Sequence, residues 1–92
     1  MTMPKIKCNY GLHFSEIAGK FEETVDLKGN RLSDLIDFLE ENYRGFKKEL
    51  INSETGDLLT RNGILIEREG ENTKGLHSPR AELRSGDVLT FF

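Results

Sequence analysis

Few residues in this 92-residue sequence could supply a nucleophile or a metal-ligating nitrogen. The single cysteine, Cys8, could act as a thiolate, and the two histidines, His13 and His77, could ligate a metal ion. A metal site needs several such ligands close together, but the two histidines are far apart and neither has a cysteine or histidine nearby. One cysteine also excludes internal disulfides and four-thiolate metal sites. We therefore expect Cys8 to be a small buried residue, and we predict neither a metal nor a cofactor.

Two other patterns resemble binding sites only superficially. Glu67, Glu69 and Glu71 alternate along the chain and could present carboxylates to a cation or a basic partner, but we favour a solvated edge. The segment 70–75 begins and ends with glycine but lacks the Gly-Lys-Ser/Thr ending of a phosphate-binding loop. No histidine, carboxylate and nucleophile converge at catalytic spacing. We predict no catalytic residue and a protein that is not an enzyme.

The composition argues against nucleic acids and membranes as partners and indicates the compartment of the protein. Thirteen basic residues against sixteen acidic ones leave a net charge of −3, without the basic stripe that nucleic-acid binders show. No apolar run approaches the roughly 18 residues of a membrane span. The N-terminus lacks the hydrophobic stretch of a signal peptide. We expect a cytoplasmic protein that binds neither nucleic acid nor membranes.

The length predicts one domain, residues 1–92, because chains divide into domains only at greater lengths. Residues 6–10 and 21–27 alternate apolar and polar side chains, which predicts two half-buried strands. Residues 11–20 are expected to connect them as a loop with three local anchors: Leu12, Phe14 and Ile17.

A helix follows these strands. Its apolar residues recur at helical spacing and form one face: Leu32, Leu35, Ile36, Leu39 and Tyr43. Asn30 is the predicted N-cap, and Gly45 suits a left-handed end. Phe46 and Leu50 are expected to anchor one further short turn.

The second half of the chain reads as short strands separated by turns. Asn62-Gly63 is a turn signal before a strand over 64–68, and 74–76 suits a short edge strand. A tight turn at 83–87 precedes the apolar final strand, 88–92. The fold class is therefore α+β: a mixed sheet of four to five strands with one main helix across it. If the first and last strands are central neighbours, this is a β-grasp, ubiquitin-like fold.

Three segments resemble one family. Residues 6–10, followed by Gly19-Lys20 and the strand 23–27, look like the opening of MoaD, the small subunit of molybdopterin synthase. Residues 31–45 match its helix and helix exit. Residues 83–92 resemble its closing strand, with Gly86-Asp87 as the most specific piece. ThiS and the ubiquitin-related modifiers share this outline.

The resemblance implies a sulfur carrier with a ubiquitin fold. In that family a flexible tail ending in Gly-Gly is adenylated by a ubiquitin-activating-type enzyme and converted to a thiocarboxylate. This sequence stops at Phe92, where the family continues to Gly-Gly, and it has Gly11 where the family commonly has an apolar residue. Two hypotheses follow: a sulfur carrier whose tail is absent from this chain, or a tail-less binding module or adaptor subunit without sulfur transfer.

The final strand carries the candidate site. Adjacent strand residues point to opposite faces, so if Leu89 and Phe91 face the helix, Val88 and Phe92 face outward. We predict that Phe92, Val88 and Leu76 form an apolar patch that binds a protein partner. The resemblance implies that this partner is an adenylyltransferase of the ubiquitin-activating type or a synthase large subunit.

Overall fold

The computed structural model describes residues 3–59 and 63–92 of the chain. In chain order its elements are β1 (Lys5–Tyr10), α1 (Leu12–Ala18), β2 (Glu22–Asp26), α2 (Leu32–Asn42), α3 (Phe46–Leu50), β3 (Ile64–Glu67), β4 (Lys74–Gly75) and β5 (Val88–Phe91). Gly63 precedes β3, while Asn62, the other half of the predicted turn, lies outside the described residues.

The strands form one mixed sheet in the order β2-β1-β5-β3-β4. The first and last strands, β1 and β5, are parallel and central, and β2, β3 and β4 pair antiparallel to their neighbours. A parallel pair needs a crossover connection, and both α2 and α3 lie within it. The predicted α+β, β-grasp architecture is confirmed.

One hydrophobic cluster joins the sheet to the helices. The buried face of α2 matches the predicted periodicity, with four of the five predicted residues inside: Leu32, Leu35, Ile36 and Leu39. At the C-terminal ends of β1 and β5, aromatic rings pack together. Phe46 lies with its ring centroid 5.1 Å from that of Phe14 and 5.5 Å from that of Phe91. Phe46 of α3 therefore packs the helical layer against the two central strands. This agrees with the prediction that Phe46 anchors a short turn after the main helix.

The connection between β1 and β2 is a helix, which corrects the predicted loop over residues 11–20. α1 occupies Leu12–Ala18 and ends at Gly19, whose φ of 75° is left-handed. Phe14 is fully buried as predicted, but Leu12 is 74% exposed and does not act as an anchor. A helix of seven residues is too short to display a full apolar stripe, so its period is hidden in the sequence.

The start of α2 also differs from expectation. Arg31, and not Asn30, is the N-cap. The Asp34 carboxylate reaches back and accepts hydrogen bonds from the backbone N–H of Asn30 (3.2 Å) and of Arg31 (3.1 Å). Because Asp34, the third residue of the helix, satisfies these backbone N–H groups, the side chain of Asn30 is not needed as a cap.

The exit from α2 follows the prediction. Gly45 has a left-handed φ of 98°, and Phe46 and Leu50 are buried in α3. The Glu40 carboxylate accepts hydrogen bonds from the N–H groups of Lys47 (2.9 Å) and Gly45 (3.2 Å). These bonds, the one from Lys47 first, hold the pKa of Glu40 below its usual range.

A buried ion pair positions the start of β5. Asp87 is only 1% exposed, and its two carboxylate oxygens accept hydrogen bonds from Nε and Nη2 of Arg68 at 2.9 and 2.8 Å. The N–H of Arg84 donates to the same carboxylate at 2.8 Å. Burial opposes ionisation, but these donors outweigh it and keep the pKa of Asp87 below its ordinary value. The pair joins the end of β3 to the turn before β5.

Candidate partner-docking site

Phe92 is held in place although its side chain is 56% exposed. Its backbone exchanges two hydrogen bonds with Gly63: Phe92 N–H donates at 3.0 Å and Gly63 N–H donates at 2.8 Å. The ring lies over Gly63, where a Cβ atom would collide with the ring carbons. A glycine is therefore needed at 63 for the ring to lie there.

Beside this ring lies an apolar groove of about 520 Å³. Phe92, Leu65 and Leu76 line it. The other lining residues are Leu50, Leu58, Leu59, Gly63, Ile64, Gly75 and His77. Leu76 is half-buried against the core, and its N–H donates to the carbonyl of Ile64 at 2.8 Å. Two of the three predicted site residues, Phe92 and Leu76, thus share one groove.

Val88 lies apart from that groove. It begins β5, where it pairs with Lys7 on one side and Glu67 on the other. Four strand residues span about 13 Å, which separates Val88 from Phe92 along the same strand. The predicted alternation itself holds, because Leu89 and Phe91 are fully buried while Val88 is half-buried. The predicted patch therefore divides into a groove and a separate half-buried valine.

Leu12 is an exposed apolar residue that the sequence interpretation placed inside. It follows Gly11, whose N–H donates to the carbonyl of Phe91 at 2.6 Å. A Cβ atom at Gly11 would lie 2.8 Å from that oxygen and 3.2 Å from Cα of Phe92. Close approach of β1 and β5 thus accounts for Gly11, the position that departs from the family pattern. Leu12 begins α1 beside the end of β5, and no signal in the sequence marked it as exposed.

The residues that could have done chemistry are accounted for by the fold. Cys8 is fully buried, and burial raises the pKa of its thiol to about 12, so the thiol is protonated at neutral pH. Nε2 of His13 lies 3.2 Å from the Glu49 carboxylate. Over residues 3–59 and 63–92, no three His, Cys, Asp or Glu side chains come together as a metal site.

A carboxylate with three polar partners ties β1, β2 and α2 together near the sheet edge. Glu23 accepts hydrogen bonds from the hydroxyls of Tyr10 (2.5 Å) and Tyr43 (2.9 Å), and from Nζ of Lys20 (3.4 Å). Burial, and then the bond to Glu23, raises the pKa of Tyr10. A hydrogen bond between the Lys20 ammonium and the Tyr43 hydroxyl, and then the charge of Glu23, raise the pKa of Lys20. The cluster is fully paired, which fits a structural role.

Comparison with known proteins identifies the family. No family model matches the sequence, and no curated protein matches it. Among solved structures, molybdopterin converting factor subunit 1 from Pyrococcus furiosus is 30% identical, with 97% of this chain and 95% of that chain aligned and a TM-score of 0.66. The chain belongs to the MoaD family. The resemblance seen in its first, helical and closing segments is confirmed.

Two further structures share the fold of this MoaD-family chain at lower identity. SAMP1 from Haloferax volcanii is 21% identical over 96% of this chain and 92% of its own, with a TM-score of 0.69. A chain of the BexX/CysO complex of Amycolatopsis orientalis is 21% identical over 95% of this chain and 92% of its own, with a TM-score of 0.72.

In the described part of the chain, no helix is long and apolar enough to cross a membrane.

Proposed function

We propose that this MoaD-family protein is a non-catalytic small subunit that acts by docking on a partner enzyme. The partner is an adenylyltransferase of the ubiquitin-activating type or the large subunit of a synthase, in a sulfur-carrier pathway. The observation that carries the proposal is Phe92, which is 56% exposed on a backbone hydrogen-bonded to Gly63, beside a groove lined by leucines.

Docking at this surface would remove the exposed ring and the adjoining leucines from water. Removal of apolar surface from water is worth about 25 cal/mol per Å², but the loss of translational, rotational and side-chain freedom on association offsets much of this gain. An aromatic side chain on a backbone that is already hydrogen-bonded has few rotatable bonds to order on binding, so more of that gain remains as affinity. Aromatic anchors entering pockets dominate many interfaces. Phe92 offers an anchor, and the adjoining groove offers space for an apolar side chain of the partner.

Two features of the relatives support a protein partner. The Pyrococcus furiosus protein is described as a subunit of a converting factor. CysO of Amycolatopsis orientalis was crystallised as a complex with BexX. Leu76 belongs to the proposed contact because it lines the groove with Phe92. Val88 lies outside the groove, about 13 Å away along the chain, and would extend the contact as a half-buried, outward-facing residue.

The test compares two exposed apolar residues at opposite ends of the sheet. Phe92→Asp should weaken binding to the adenylyltransferase or synthase large subunit of the same organism by at least about tenfold, as for loss of an interface anchor. Met3→Asp adds the same charge at a residue that is 50% exposed and precedes β1, and it should leave binding unchanged. Isothermal titration calorimetry measures both.

Folding is checked by thermal denaturation of each variant. Equal binding by Phe92→Asp and the unchanged protein would refute the docking role of Phe92. Cooperative unfolding lost only in Phe92→Asp would show that the residue is part of the core and that the docking surface lies elsewhere.

A further inference from the structure

The outer edge of β2 offers backbone hydrogen bonds that the sheet does not use. Within the described residues, β2 pairs only with β1. The N–H of Leu27 donates to the carbonyl of Pro4 at 2.9 Å, and hydrogen-bonded positions alternate in an antiparallel pair. The backbone groups that point away from β1 therefore belong to three exposed residues: Glu22, Thr24 and Asp26. An extended segment could pair with them as a sixth strand.

A groove of about 390 Å³ lies between the end of β2 and α2, next to this edge. Its apolar part comes from Phe38, half-buried against the core, from Met3, 50% exposed, and from the buried Leu27. Such a groove can take alternate side chains of a strand added along β2.

The charges of the groove select the occupant. Four carboxylates line it, against one lysine, Lys28: Asp26, Asp34, Asp37 and Glu41. Asp34 caps α2, and Asp37 lies 2.9 Å from Nζ of Lys47. Among residues 3–59 and 63–92, neither Asp26 nor Glu41 has an ion-pair partner. The surface is therefore complementary to a basic segment.

We propose that the β2 edge and its acidic groove bind an extended basic peptide by strand addition. The bound segment places a lysine or arginine beside Asp26 and Glu41, the groove carboxylates without an ion-pair partner among the described residues, and an apolar side chain against Phe38. A second copy of this chain fits poorly, because antiparallel self-pairing centred on Thr24 would place Glu22 opposite Asp26. This site is separate from the groove at Phe92, since β1 and β5 lie between β2 and β3.

The decisive variant pair is at Thr24. Thr24→Pro removes an outward N–H without removing a donor to β1, whereas Thr24→Val keeps that N–H and the strand propensity. The probe is a short capped peptide that alternates lysine and valine, with an alternating glutamate and valine peptide as control. Loss of one strand-addition hydrogen bond should weaken binding of the basic peptide about tenfold in Thr24→Pro. Thr24→Val should bind as the unchanged protein does.

A second variant tests the charges without touching the backbone. Asp26→Asn combined with Glu41→Gln should reduce affinity several-fold and flatten the dependence of binding on salt. The Phe92→Asp variant should bind the peptide normally. NMR shifts in the unchanged protein should be confined to β2 and the adjoining face of α2.

Four results would overturn the proposal. They are equal binding of the acidic peptide, unchanged binding by Thr24→Pro, shifts centred on Phe92, and a concentration-dependent dimer through β2 in sedimentation. If Thr24→Pro fails to fold, the charge variant and the shift map decide alone, and normal affinity in the charge variant would then refute the site.

Discussion

The two ends of β5 are built on opposite principles. At its start, the carboxylate of Asp87 is 1% exposed and each of its oxygens is hydrogen-bonded. Just past its end, Phe92 exposes more than half of an apolar ring over a glycine. The polar group is inside and satisfied, and the apolar group is outside. Rigid anchoring at one end allows the strand to present an aromatic side chain at the other without loss of register.

Removing the Asp87–Arg68 ion pair at the start of β5 should cause the largest loss of stability. Asp87→Ala leaves the guanidinium of Arg68, whose side chain is 16% exposed, without its bidentate partner. Removing one member of a buried pair typically costs about 3–5 kcal/mol in the free energy of unfolding. Chemical denaturation measures this loss. The control is Lys7→Ala, which removes an exposed pair with Glu22 at 3.7 Å and should cost under about 1 kcal/mol. Equal small losses would contradict the assigned role of Asp87.

Low pH should also weaken the Asp87–Arg68 pair, with a smaller loss in the free energy of unfolding than Asp87→Ala causes. The pKa of Asp87 in the folded protein lies below its ordinary value of 3.8, so the unfolded chain takes up the proton first as the pH falls. The stabilisation is therefore complete above the ordinary value and is lost as the pH falls through the lower, folded value. Urea unfolding at a series of pH values tests this. Asp87→Asn should flatten the loss in that acid window, and an unaltered slope would contradict the prediction.

The contact between the Phe92 ring and Gly63 can be tested by adding a single carbon atom at residue 63. In Gly63→Ala the new Cβ would collide with the ring of Phe92, which must swing away. Overpacking costs about 1–3 kcal/mol, and we expect the low end because the ring is exposed and can move. The double variant with Phe92→Ala should recover most of the loss, because the colliding ring is then absent. Equal losses in both backgrounds would mean that the backbone at Gly63, and not the ring, is the constraint.

The sequence predicted the regular parts of this molecule because their signals are local and periodic. Alternation in β1 and β2 and the five-residue stripe of α2 predicted the first two strands and the main helix. The central position of β1 and β5 was only the condition on which the β-grasp prediction depended. α1 was not predicted because seven residues are too few to show a helical period. For the same reason Leu12 was wrongly expected to be an anchor. The cap of α2 was placed on Asn30 because side chains that reach back, such as Asp34, leave only a weak trace in sequence.

The candidate site was predictable only where strand alternation applies. It placed Phe92 outward, and the groove then joined Phe92 to Leu76. Other residues of the groove wall, such as Leu58 and Leu59, lie in a segment for which no helix or strand was predicted, so no periodic pattern placed them at the groove. The partner of Asp87 was equally unpredictable, because Arg68 lies 19 residues away in the sequence and no local pattern links the two.

The smallest expected effect comes from the exposed ring itself. Phe92→Ser removes a ring that is 56% exposed, so we expect a loss of only about 1 kcal/mol in the free energy of unfolding. The matched control is the neighbouring residue: Phe91 is fully buried, and Phe91→Ser should cost about 3–5 kcal/mol because it opens a cavity between Tyr10, Phe14 and Phe46. Denaturant titration of the two variants gives the difference directly. Similar losses would mean that Phe92 contributes to the fold as Phe91 does, and the contrast between the two ends of β5 would then be lost.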